Sequence, residues 1–276
     1  MKISILGCGT YGSAIKNHLI KKGHTVVAEK IEDADFIFVS VPSHAVVSAL
    51  LKEKDDIKSQ PIIIGSKGLD ESGRLLSKTL EEEFSNNEIL FLYGPALARG
   101  IEKGDISAMV LAGRGKIKEE LKKEIESENL IIELSDDIIG VQVGASLKNV
   151  ATIFNGIVEG AGYSENTRAF VFVKGIEFIQ RFGVALGANA NTFIGLTCVG
   201  DLTLNSRNRR LGFELGKGRN ISEFEPKIGA PQEGIFTLKV VKSMLKDIDI
   251  DSSFIDVLYS IIFEEMTIAE GLSKIK

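Results

Sequence analysis

"KISILGCGTYGSAIKNHLIKKGHTVVA" (Lys2–Ala28) places an apolar run, a glycine-rich turn, an amphipathic segment and a second apolar run in immediate succession. The stretch predicts strand MKISIL, helix YGSAIKNHLIKK and a strand over Thr25–Ala28. Between the first two lies Gly7-Cys8-Gly9-Thr10-Tyr11-Gly12, which fits G-x-G-x-x-G. Gly7 permits the tight turn, Gly9 lets a pyrophosphate approach the backbone, and Gly12 lets the helix pack on the strand. The helix start adds unpaired N–H groups and a partial positive charge, both suited to phosphate. At the head of an α/β domain this loop reads as a dinucleotide cradle. The rival reading is a structural glycine-rich turn.

Working outward, further strand candidates are Phe36–Val41, Pro61–Gly65, Ile89–Tyr93, Ser107–Leu111 and Leu130–Leu134, with Ile3–Leu6 as the first strand's core. "IIIG" and "FIFVSV" are apolar on both faces, as a parallel sheet covered on both sides requires. Segments between them, such as "KIKEELKKEIES" (Lys116–Ser127), carry apolar residues at helical spacing. Residues 1–135 therefore predict a Rossmann-type, doubly wound α/β domain. From 136 to 276 the pattern becomes helical with almost no strand signal. "VQVGASLKNVATIFNGIV" (Val141–Val158) is apolar nearly all round and predicts a central buried helix. Helices over Asn166–Gly187 and Gln232–Lys246, and a final pair within Phe254–Ile275, complete an all-α C-terminal domain.

The chain has 276 residues, 44% hydrophobic and 26% charged, so a buried core is assured. A net charge of −5 argues against a nucleic-acid or anionic-membrane partner. Cys8 and Cys198 have neither metal nor redox spacing, no apolar run reaches the ~18 residues that span a bilayer, and MKISILGCG leaves no room for a signal peptide. The expectation is a soluble cytoplasmic protein.

After the second strand a dinucleotide domain should carry an acid for a ribose 2′-hydroxyl or a base for a 2′-phosphate. Here it reads Ala28-Glu29-Lys30. Glu29 tips the reading toward NAD, with NADP possible; alternatively both side chains point into water. Only Glu29–Asp35 then separates the second strand from the third, where a parallel crossover normally takes a dozen or more residues. Extended at about 3.3 Å per residue, this link just spans a strand length and two inter-strand steps. The expectation is a taut link and a sheet reduced by about one strand–helix unit.

Lys148 interrupts the apolar helix. An isolated buried ammonium is costly, so it pairs, snorkels to the surface or lines a cleft. Burial disfavours a charged lysine, which suits proton transfer, and Asn149 beside it can bond a polar ligand. Lys67, in "IIIGSKGLD", follows a predicted parallel strand, at the sheet edge where such folds bind ligands. "DLTLNSRNRRLG" (Asp201–Gly212) concentrates Arg207, Arg209 and Arg210, read either as a solvated helix start or as a phosphate clamp.

Together "GCGTYG", "VPSH" (41–44), "SKGLD" (66–70), "GPALA" (94–98), "IGVQVGASLKNV" (139–150), "NTRA" (166–169), "GD" (200–201), "SRNRR" (206–210) and "QEG" with Thr237 resemble the NAD(P)-dependent glycerol-3-phosphate dehydrogenase family, in order over most of the chain. The resemblance implies reduction of dihydroxyacetone phosphate to sn-glycerol 3-phosphate, for lipid metabolism, by a cytoplasmic homodimer. It implies Lys148 as the group protonating the nascent alkoxide, with Lys67 and Asp201 positioning substrate and proton path. Asn149 would bond substrate hydroxyls, and Arg207 and Asn208 the phosphate. Cofactor contacts are implied at Gly7, Gly9, Thr10, Tyr11, Gly12, Glu29, Pro42, Ala98, Arg207 and Glu233.

The chain departs from that pattern in its shortened crossover, in a shortened loop between Leu204 and Ser206, and in Gly100, where the family has an acid. The first two thin the binding walls, and none removes an implied catalytic group. Two rival readings stand beside the resemblance: a two-domain dehydrogenase of another small hydroxy acid, and a non-catalytic nucleotide- or metabolite-binding relative.

Overall fold

The computed structural model describes residues 1–31, 33–70, 72–204, 207–224 and 233–275. The chain divides into two compact units, Met1–Gln142 and Val143–Lys276. The division falls inside a long helix that begins at Ile138, just after the predicted change of pattern at 135/136.

The first unit is a seven-stranded sheet: β1 (Lys2–Leu6), β2 (Thr25–Ala28), β3 (Phe36–Val39), β4 (Ile62–Ile64), β5 (Ile89–Tyr93), β6 (Ser107–Ala112) and β7 (Leu130–Ser135), in spatial order β2-β1-β3-β4-β5-β6-β7. Between them run α1 (Thr10–Lys21), α2 (Val46–Lys52), α3 (Leu76–Glu83), α4 (Ala98–Lys103) and α5 (Ile117–Ile125). Every residue of β3, β4 and β5 is buried, as runs apolar on both faces require of central strands. Pairing is parallel except between β5 and β6, where Phe91 opposes Ala112 and Tyr93 opposes Val110 antiparallel. Apolar periodicity carries no strand direction, so this reversal had no signature in the chain.

The shortened crossover is real. β2 and β3 flank β1, and Glu29–Asp35 passes between them. The link is anchored to β1 at both ends: Glu29 N–H donates to the Ile5 carbonyl (2.8 Å) and Asp35 N–H to that of Lys2 (2.7 Å). The Lys2 N–H returns a bond to Asp35 Oδ2 at 2.8 Å. Ile31 and Ala34 are buried along the way. The link is bent where a taut one was expected: Glu29 (φ 59°) and Asp33 (φ 38°) are left-handed, conformations that cost a residue with a Cβ. β2 is the sheet edge, and Ala28, Glu29 and Lys30 at its end are all exposed.

The carboxyl end of α5 is closed by side chains from the end of α1 and the turn after it. His18 Nε2 donates to the Ile125 carbonyl (2.7 Å), His24 Nε2 to that of Glu124 (2.9 Å), and Lys22 Nζ to those of Lys123 (3.0 Å) and Glu126. A helix leaves its last carbonyls unpaired, and donors there also meet the negative end of its dipole.

The second unit is helical: most of α6 (Ile138–Gly160), then α7 (Glu165–Ala185), α8 (Arg207–Gly216), α9 (Glu233–Met244), α10 (Ser253–Phe263) and α11 (Ile268–Lys274). Residues 141–154 of α6 are buried throughout, as its all-round apolarity predicts. Phe254 of α10 packs against Phe154 of α6 and Phe178 of α7, with ring centroids 5.3 Å and 5.9 Å apart. α6 and α8 meet along glycines. A β-carbon at Gly156 would lie 2.3 Å from the Arg209 carbonyl oxygen, and one at Gly160 1.9 Å from that of Phe213. β-Carbons at Gly212 and Gly216 on α8 would each lie 2.1 Å from a carbonyl oxygen of α6, those of Ile153 and Ile157 respectively. No described helix is long and apolar enough to cross a membrane. The shortened loop at Asn205, Ser206 of "SRNRR", and Gln232 at the head of the expected helix lie outside the described residues.

Candidate active site

In the first unit the glycine loop joins β1 to α1. Gly7 takes φ 95°, and a β-carbon there would lie 2.6 Å from the Ser40 carbonyl carbon and the Val41 nitrogen. At Gly12 it would lie 1.9 Å from the Gly7 oxygen. Both glycines are demanded by the fold. Gly9 is different: a β-carbon there meets nothing within 4 Å. Gly9 also caps α1 and, as a glycine, supplies no side-chain acceptor to the helix start at Thr10. Open space at Gly9 over a helix N-terminus fits the pyrophosphate of a dinucleotide.

Glu29 does not point idly into water. Its carboxylate accepts from Cys8 N–H (2.8 Å) and Gly7 N–H (3.3 Å). The Cys8 donor, with Gly7 behind it, holds that carboxyl below the usual carboxylate range, so it is anionic at neutral pH. Burial, and then Glu29, push the Cys8 thiol up. Pro42 follows β3 at the cap of a short 3₁₀ turn, Ser43–Ala45. Lys67 follows β4; its Nζ donates to the Gly94 carbonyl at 2.9 Å, just past β5. Ala98 opens α4, and Gly100, two residues on, brings no acid. These groups lie beyond the carboxyl ends of parallel strands, the binding edge of such sheets.

In the second unit Lys148 on α6 is 6% exposed and Asp201 2%. Lys148 Nζ lies 3.1 Å from Asp201 Oδ1. Of the three readings open for Lys148, pairing is the one observed, and snorkelling is set aside. Asp201 directly follows a π-turn, Leu196–Gly200, that rests on α6: a β-carbon at Gly144, one turn before Lys148, would be 3.1 Å from Cys198 Cβ. Burial, and then Asp201, push the Cys198 thiol up to about 12. Asn149 is 4% exposed with no hydrogen-bond partner for its side chain among the described residues. α9 begins at Glu233, and its Gly234 brings α9, α6 and α8 together: a β-carbon there would lie 2.8 Å from Asn208 Oδ1 and 3.2 Å from the Asn149 carbonyl oxygen.

The arginine cluster divides. Arg209 is committed to Glu159, Nε–Oε2 2.8 Å and Nη2–Oε1 3.0 Å, and first among its neighbours holds that carboxyl below its usual range. Arg207 and Arg210 are exposed, Arg207 at the first residue of α8. Two features escaped the sequence. Glu159 is fifty positions from its partner, and the charge run gave no hint of it. Thr237, quoted above only as part of a motif, has a buried hydroxyl with no hydrogen-bond partner among the described residues, one turn beyond Glu233.

Two family profiles match the chain: the NAD-dependent glycerol-3-phosphate dehydrogenase N-terminus over residues 26–119, and the NAD-dependent glycerol-3-phosphate dehydrogenase C-terminus over residues 137–273. A glycerol-3-phosphate dehydrogenase [NAD(P)+] of Thermoanaerobacter sp. (strain X514) is 32% identical over 308 aligned positions, covering 96% of this chain and 93% of the relative. Its counterpart from Clostridium tetani (strain Massachusetts / E88) is 34% identical over 256 positions, covering 88% and 72%. The crystal structure of the Coxiella burnetii glycerol-3-phosphate dehydrogenase superposes with a TM-score of 0.90 at 25% identity, covering 99% of this chain and 98% of that one. The 308-position alignment is longer than the 276-residue chain, so the relative carries segments that are absent here.

Proposed function

The chain belongs to the NAD(P)-dependent glycerol-3-phosphate dehydrogenase family, and from that premise we propose how its residues carry the reaction. It is an oxidoreductase that interconverts dihydroxyacetone phosphate and sn-glycerol 3-phosphate with NAD(P)H. The reading that it acts on another hydroxy acid, and the non-catalytic reading, fall away.

The single observation that carries the mechanism is the buried Lys148–Asp201 pair beside the unpartnered Asn149. A nicotinamide cofactor held at the glycine loop would supply the hydride for the substrate carbonyl carbon. Lys148 then gives a proton from Nζ to the carbonyl oxygen as it becomes an alkoxide, a role requiring a protonated donor fixed in place. Asp201 fixes it: its carboxylate holds the ammonium by charge and hydrogen bond inside a dry surrounding, where such a bond is strong. Asn149, whose side-chain amide has no hydrogen-bond partner among the described residues, bonds the substrate hydroxyl. Arg207 and Asn208 take the phosphate, a fork of donors against phosphate oxygens. Lys67 orients substrate from the end of β4.

Gly7, Gly9, Thr10, Tyr11 and Gly12 hold the cofactor pyrophosphate, with Pro42, Ala98, Arg207 and Glu233 as further contacts. Glu29, anionic and held by two N–H groups, accepts a ribose 2′-hydroxyl and repels a 2′-phosphate, so NADH is preferred to NADPH. The working form is a cytoplasmic homodimer supplying glycerol phosphate to lipid assembly.

The test is Lys148→Arg. Arginine keeps the charge beside Asp201 but does not release its proton at any working pH. The folded variant should lose about 10²–10⁴-fold in kcat for dihydroxyacetone phosphate-dependent NADH oxidation. Turnover within about tenfold of wild type would remove Lys148 as the proton donor.

A further inference from the structure

The sheet ends where an adenosine wall would begin. In the usual doubly wound dinucleotide domain the strand order runs 3-2-1-4-5-6, and the unit after the second strand closes the adenosine side. Here the order starts at β2, which is the edge, and β2 itself is covered poorly for a strand of such a sheet, its first and last residues exposed. The seven residues that replace the missing unit turn away at once. Glu29 takes a left-handed conformation, Ile31 is buried, and by Asp35 the chain is bonded to Lys2 at the opposite end of β1. What remains at the end of β2 is Ala28, Glu29 and Lys30, all exposed. No described apolar side chain of the link stands over them, since Ile31 and Ala34 are spent on the core.

The pyrophosphate half of the cradle is by contrast complete. Gly7 and Gly12 are in the close contacts the turn needs, and Gly9, at the cap of α1, is open. We propose that this chain recognises the nicotinamide mononucleotide half of its cofactor and leaves the adenine base in solvent. Adenosine is then held by little more than the Glu29 carboxylate on its ribose, and reduced nicotinamide mononucleotide is a ligand of nearly the same strength as NADH. The inference rests on the reading of the glycine loop as the cofactor cradle.

The experiment is a titration of the full chain with NADH and with reduced nicotinamide mononucleotide, followed by calorimetry and by dihydronicotinamide fluorescence. An aromatic ring of adenine's size buried on both faces is worth roughly several hundredfold in affinity. With the base in solvent the two dissociation constants should differ by less than about thirtyfold. Adenosine, which carries only the part left outside, should fail to displace bound NADH. A ratio above about thirtyfold, or displacement by adenosine, overturns the proposal while leaving the cradle intact. Failure of both nicotinamide ligands to bind overturns the cradle itself.

Discussion

Among the glycines of the loop, three identical residues answer to different demands. Gly12 lies against the Gly7 carbonyl with no space for one more atom, whereas Gly9 faces emptiness at φ −64°, a conformation any residue adopts. Gly12→Ala should therefore lower stability by about 3 kcal/mol, the scale of a clash the backbone must absorb. Gly9→Ala should leave the urea midpoint unchanged and weaken NADH binding about tenfold or more. Equal stability losses in both variants would mean that the loop is only structural. The motif's spacing made these glycines legible from the chain, because the turn's geometry is local. The partner of Lys148 was not legible: the resemblance implied Asp201 only for positioning substrate and the proton path, and a buried lysine announces that it must be paired without saying to what. Arg209 and Glu159 show the limit: their contact depends on α6 and α8 lying side by side.

At the scale of elements, every predicted strand is present, with ends shifted by a residue or two. Val41 of the third candidate and Gly65 of the fourth lie beyond β3 and β4. Apolar runs betray burial, and burial defines the strand; the turn residues that end it are weaker signals. The closure of α5 by α1 was not legible, because His18, Lys22 and His24 look like an ordinary polar helix end. It has a consequence in pH. Burial holds the His18 imidazole below its ordinary pKa of 6.5, although the Ile125 carbonyl pulls the other way. The unfolded chain then takes up a proton near pH 6.5 that the folded chain resists. Its contribution is whole above pH 6.5 and is lost progressively below it, down to the depressed value. Urea midpoints should fall between pH 7.5 and 5.5, and His18→Gln should flatten that slope. An unchanged slope would show that His18 is not the titrating group.

For the whole molecule, the change of pattern near residue 135 was plain because strand and helix periodicities differ over more than a hundred residues on either side. The homodimer proposed above should appear in light scattering at twice the 30.0 kDa of the chain; a mass of 30.0 kDa at micromolar concentration would refute it. The glycine seam sets a tolerance of its own. Where helices meet through side chains, rotamers act as shims, and an error in one position is taken up by its neighbours. α6 and α8 have no shims: peptide lies on peptide at Gly156, Gly160, Gly212 and Gly216, so the spacing of the two helices is cut to the dimension of the backbone itself. The seam works as a ruler graduated in single helical turns, with Asn149 marked on one edge and Asn208 on the other. Sideways drift during evolution is closed off, because no single substitution can adjust the gauge without breaking it.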